Sequence, residues 1–102
     1  MSIKKRHFRK KGICKVTFVV PENRESAVQK IHVVGEFNDW SPSATPMKRS
    51  QNGFYSASVD LEPGREYQFR YLINDQRWEN DPEADDSVDT PYQDARNSVV
   101  VT

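Results

Sequence analysis

The sequence predicts an all-β sandwich. Three observations carry that expectation: the patterned segments alternate with a period of two, none holds helical periodicity over three turns, and turn-forming residues recur about every ten positions. A chain of 102 residues accommodates one such domain and no second core. Hydrophobic residues make up 35% of it, so the core is small. Aromatic residues at 11% compensate, because each ring buries roughly 150–250 Å².

The first strand is residues 13–20, ICKVTFVV, and Pro21 ends it. Residues 21–25 are polar and turn-like. Residues 30–37, KIHVVGEF, form a second strand with Ile31, Val33 and Gly35 on one side. Residues 38–46 place Asn, Asp, Ser and two prolines around Trp40, a loop composition. Residues 47–50 make a short strand before the hairpin turn Gln51-Asn52-Gly53. In residues 54–61, Tyr55, Ala57, Val59 and Leu61 oppose Phe54, Ser56, Ser58 and Asp60.

After the turn Glu62-Pro63-Gly64-Arg65, residues 66–73 give the strongest strand, with Tyr67, Phe69, Tyr71 and Ile73 on one face and Gln68, Arg70 and Leu72 on the other. Asn74-Asp75-Gln76 turns the chain into a brief strand at residues 77–79. An acidic loop with Pro82 and Pro91 follows, and NSVVVT at residues 97–102 closes the sheet. Residues 12–102 thus form a sandwich of seven to eight short antiparallel strands, and residues 1–11 a basic flexible tail.

Fifteen basic and fifteen acidic residues balance to zero net charge, but unevenly along the chain. Residues 4–11 hold six Lys and Arg and no acid; residues 79–94 hold seven acids and no base. The basic end reads as a solvated tail and not a nucleic-acid arm, because no groove of interleaved aromatics accompanies it. The acidic stretch lacks the Asp-x-Asp-x-Asp-Gly order of a calcium loop, so it reads as solvated loop. Lone Cys14 rules out a disulfide framework or a cysteine-built zinc site. No run approaches the roughly 20 apolar residues of a membrane helix, and no signal-peptide cleavage pattern follows the basic start. The expected address is the cytoplasm, with neither membrane nor nucleic acid as partner.

Catalytic groups are not assembled in the sequence. His7 lies in the tail and His32 within a strand, neither spaced beside a serine or cysteine as a base would be. Carboxylates are plentiful, but so small a domain offers little room for a cleft around two of them. The tryptophans are more informative. Trp40, in GEFNDWSP, and Trp78, in DQRWENDP, sit among turn formers and polar residues. Exposed indoles there present flat surfaces on which the C–H faces of sugar rings stack, while equally serving as plugs for the end of a sandwich.

GEFNDWSP, the Tyr/Phe-rich strand, DQRWENDP and the NSVVV run, in that order, resemble carbohydrate-binding module family 48 over residues 13–102. This glycogen- and starch-binding domain occurs at the N-termini of isoamylases and branching enzymes and in the β subunit of the AMP-activated protein kinase. The resemblance implies an immunoglobulin-like sandwich of the early-set type and non-catalytic binding of α-1,4-linked glucan, with no cofactor. It implies that Trp40 and Trp78 stack on glucose units, that Arg70 donates to hydroxyls, and that Asn97 contacts the chain. The position four residues before that asparagine, apolar in kinase-type binders, is Gln93 here, and the glycines of the bacterial turn are replaced by Asp94, Ala95 and Arg96. The alternative class is a regulatory or scaffolding domain that docks onto a glycogen-metabolising enzyme or another protein, with the same aromatics as anchors.

Overall fold

In a computed structural model the described residues are 2–21, 30–51, 53–91 and 95–102. They form two antiparallel sheets packed face to face, with no α-helix. The first sheet contains β1 (Ser2–Phe8), β2 (Ile13–Pro21), β5 (Phe54–Leu61) and β4 (Lys48–Arg49), in the order β1-β2-β5-β4. The second contains β3 (Ile31–Gly35), β6 (Glu66–Ile73), β9 (Arg96–Val101) and β8 (Asp86–Asp89), in the order β3-β6-β9-β8, with β7 (Arg77–Glu79) also paired to β6. A single 3₁₀ turn, Glu36–Asn38, follows β3.

Alternation decides which side chains meet between the sheets. From β2 come Cys14, Val16, Phe18 and Val20, all fully buried; from β6 come Phe69, Tyr71 and Ile73. Phe18 is the hub: its ring lies 4.9 Å from Phe69, 5.7 Å from Phe37 and 6.3 Å from Tyr71. Such offset and edge-on pairs add about 0.5–1.5 kcal/mol each beyond area burial, which lets a hydrophobe-poor chain close its core.

Two expectations change. Residues 2–8 are not a flexible tail: β1 pairs with β2 in continuous register from Ser2↔Val19 to Phe8↔Ile13. A hairpin with left-handed Gly12 (φ 64°) at its turn end returns the chain. Its lysines and arginine mark an edge strand, where charge discourages pairing with other chains. Within the acidic stretch, residues 86–89 form β8, and Asp81 is buried, 5% exposed, rather than solvated. These additions raise the strand count among the described residues from the seven or eight expected to nine.

The two sheets are tied at that margin. Lys5 Nζ donates to Asp85 Oδ2 at 2.6 Å, and the same oxygen accepts the Val101 N–H at 2.7 Å. Partial burial pushes the Asp85 carboxyl up, but the hydrogen bonds from Lys5 and Val101, with the lysine's charge, outweigh it and hold the group below its ordinary 3.8. A depressed carboxyl stabilises the fold above its unfolded value and loses that contribution as pH falls through the folded one. Melting midpoints of the wild type should therefore drop below about pH 4 more steeply than those of Asp85→Asn.

Candidate functional site

The outer face of the second sheet carries the candidate site. One side of β6 is lined by β3; the other is shared by β9, along Glu66–Phe69, and β7, along Tyr71–Ile73. This arrangement sets Trp78 and Asn97 on the same flank of β6. Opposite residues share a face, so Val34↔Arg70, Leu72↔Trp78 and Gln68↔Val99 all lie outside the core. Val34, Leu72 and Val99 are nonetheless buried, at 0%, 5% and 3% exposure. They make an apolar floor beneath a polar and aromatic surface.

Trp40 reaches this face from the loop after β3. Gly35 begins the turn in extended backbone, and an added Cβ there would lie 2.5 Å from the Gln68 carbonyl oxygen and 2.8 Å from the Phe69 Cβ. Only glycine lets β3 run so close to β6. Asn38 then staples the loop: its Oδ1 accepts the Gly35 N–H at 3.0 Å, and its Nδ2 donates to the Val33 carbonyl at 3.0 Å and to Thr45 Oγ1 at 2.9 Å. Asp39 and Trp40 both adopt left-handed backbone, φ 56° and 58°, and the Trp40 N–H donates to the Gly35 carbonyl at 2.9 Å. A tryptophan held there is uncommon and costs energy; the loop's hydrogen bonds offset it and leave the indole 38% exposed.

Trp78 arrives by a hairpin. Asn74 and Asp75 both have positive φ, 53° and 57°, and Gln76 N–H donates to the Ile73 carbonyl, the geometry of a type I′ turn. Beyond Trp78 the chain is clamped to β9: Asn80 Nδ2 donates to the Arg96 carbonyl, Ser98 Oγ to Asn80 Oδ1, and the Asp81 N–H to Ser98 Oγ. Trp78 is left 46% exposed on a fixed backbone.

Between the indoles lies an open groove of about 600 Å³ lined by Trp40, Trp78, Arg70, Asn97, Gln68, Glu36, Asp89, Thr90 and Pro91. Four of the five residues singled out in the sequence, Trp40, Trp78, Arg70 and Asn97, therefore converge; Gln93 lies outside the described residues. Arg70 Nε donates to Asn97 Oδ1 at 2.5 Å, and Asn97 Nδ2 donates to Gln68 Oε1 at 2.9 Å. Glu36 Oε1 accepts the Gln68 backbone N–H at 2.6 Å. Asp89, on the rim, is paired with Arg96 at 2.9 Å. The groove thus combines two flat apolar surfaces with a fixed row of polar groups. That is the complement of a pyranose, apolar on its faces and hydroxylated at its edges.

Glu36, Gln68, Asp89, Thr90 and Pro91 escaped selection from sequence. Alternation did place Gln68 on the face of Arg70, and that shared face was the available signal. Among the described residues no group of three or more His, Cys, Asp or Glu side chains comes together as a metal site, and no helix is long and apolar enough to cross a membrane.

A stretch of the chain is 44% identical over 43 residues to the 1,4-alpha-glucan branching enzyme GlgB of Deinococcus radiodurans. That match takes in 41% of this chain and 6% of the enzyme, so the chain spans only a small part of that relative's length. The family model of carbohydrate-binding module 48, the isoamylase N-terminal domain, matches residues 25–87, which include Trp40, Arg70 and Trp78. With more than half of its length matched and both sheets of the sandwich in place, the chain belongs to the carbohydrate-binding module 48 family.

Proposed function

We propose that the groove binds α-1,4-linked glucan of the glycogen or starch type and does not cleave it. The observation that carries this reading is the convergence of two half-exposed tryptophans on one groove with a guanidinium and an amide between them. Each C–H contact to an indole face is worth about 0.5–1 kcal/mol, so two platforms together make a useful contribution. The planar donors of Arg70 and Asn97 add direction. Of the groove's carboxylates, Asp89 is paired with Arg96 and Glu36 is held through one oxygen by the Gln68 N–H, which supports binding without hydrolysis. Soluble glucan in the cytoplasm is the partner this reading implies.

The test is paired. Trp40→Ala and Trp78→Ala should each melt close to wild type, since exposed substitutions cost within about 0.5 kcal/mol. Each should weaken maltoheptaose binding in a fluorescence or calorimetric titration by about 1–2 kcal/mol, roughly ten-fold or more. Stable variants that bind as wild type would remove the indoles from the site and favour docking onto a glycogen-metabolising enzyme.

A further inference from the structure

The polar row in the groove has a direction that its own chemistry dictates. A guanidinium only donates, so the Asn97 atom facing Arg70 Nε is its oxygen. The Asn97 amide nitrogen must then face Gln68, and the Gln68 atom that receives it is Oε1. Fixing that oxygen leaves the Gln68 Nε2 group, with two N–H donors, turned away from Asn97. Glu36, meanwhile, is anchored through Oε1 to the backbone N–H of the same Gln68, which leaves its other oxygen as an acceptor. Both residues line the groove.

We propose that Gln68 and Glu36 form a hydroxyl-reading pair, in which one glucose hydroxyl accepts from Gln68 Nε2 and donates to the free carboxylate oxygen of Glu36. This rests on the glucan reading above and extends the site beyond the residues that the sequence motifs marked. A hydroxyl is the group that satisfies both partners at once. A methyl ether accepts but cannot donate, and a deoxy position does neither, so each leaves the carboxylate desolvated and unpaired. The pair is therefore a specificity determinant: stacking tolerates any flat sugar face, whereas the pair demands a free hydroxyl at one point along the chain.

The experiment exchanges donor and acceptor. Gln68→Glu retains an oxygen for Asn97 but replaces the outward donor with an acceptor. Glu36→Gln retains an oxygen for the Gln68 N–H but turns a donor into the groove. Each single variant should melt near wild type and bind maltoheptaose roughly ten-fold more weakly, as expected when a hydrogen bond is lost and a mismatched polar group is left in its place. The double variant Glu36→Gln/Gln68→Glu restores one donor and one acceptor in exchanged places at unchanged net charge. It should recover most of the lost affinity. Wild-type affinity in both single variants would overturn the pair, as would a double variant no better than the weaker single. A wild-type protein that binds no maltoheptaose would overturn the glucan reading itself, and with it this one, at the first titration.

Discussion

Replacing Gly35 with alanine should lower the melting midpoint by on the order of 10–20 °C, the equivalent of about 3 kcal/mol in a domain of this size. Backbone torsion is not the cause, because Gly35 is extended at φ −166°, a conformation any residue adopts. The cause is space. The added methyl would lie 2.5 Å from the Gln68 carbonyl oxygen and 2.9 Å from the Phe37 ring, and the first of these is backbone that cannot rotate aside. Relief requires β3 to part from β6 where Gly35 pairs with Phe69. Because the Trp40 N–H donates to the Gly35 carbonyl and Asn38 accepts the Gly35 N–H, the same movement displaces the indole. Glucan affinity should fall with stability in this one variant, whereas in Trp40→Ala the two separate. Calorimetric melting and a maltoheptaose titration on both proteins check the contrast.

Tyr71→Phe should cost about 2–3 kcal/mol without leaving a cavity. The Tyr71 hydroxyl donates to Asp81 Oδ2 at 2.7 Å in a site where the tyrosine is fully buried and Asp81 nearly so. The other carboxylate oxygen accepts the Glu83 N–H at 2.9 Å. Deleting the hydroxyl strands half of a buried carboxylate, and that penalty exceeds the worth of an ordinary hydrogen bond. Burial first, and then the charge and hydrogen bond of Asp81, push the phenol well above its ordinary 10.0. The folded protein then holds a proton that the unfolded chain releases above that value. Stability therefore falls as pH rises past about 10, and none of this contribution is lost at neutral pH. Denaturant midpoints of the wild type should decline above about pH 10, with a smaller decline in Tyr71→Phe because that ionisation is gone.

The core was legible because its residues obey the pleat. In β6 the alternation that puts Phe69 and Tyr71 inward also puts Gln68 and Arg70 outward, and the structure keeps both faces. Strand β1 was not legible for the opposite reason. Lys4 and Arg6 fall on one face and Lys5 and His7 on the other, so an edge strand whose two faces are both polar leaves no hydrophobic alternation to detect. Strand β8, DSVD, hides in the same way behind Val88 alone. Of the residues that line the groove, motif order marked Trp40, Arg70, Trp78 and Asn97. Glu36 was missed because its place in the groove comes from a bond to a residue 32 positions away, and no local pattern encodes that approach. Asp81 was misjudged since composition describes a segment's average, and one buried carboxylate among exposed ones does not alter it.

The contacts that close the margin of the sandwich join residues far apart in sequence, Lys5 to Asp85 across 80 positions and His7 to the Thr102 carbonyl across 95. Such closures require most of the chain entropy to be lost before they contribute, so refolding belongs with the slower, β-rich domains, in milliseconds to seconds. A contact of this kind is expected to form after the rate-limiting barrier. Its loss in Asp85→Asn should then appear as faster unfolding with an almost unchanged folding rate, the left arm of the chevron holding still while the right arm rises.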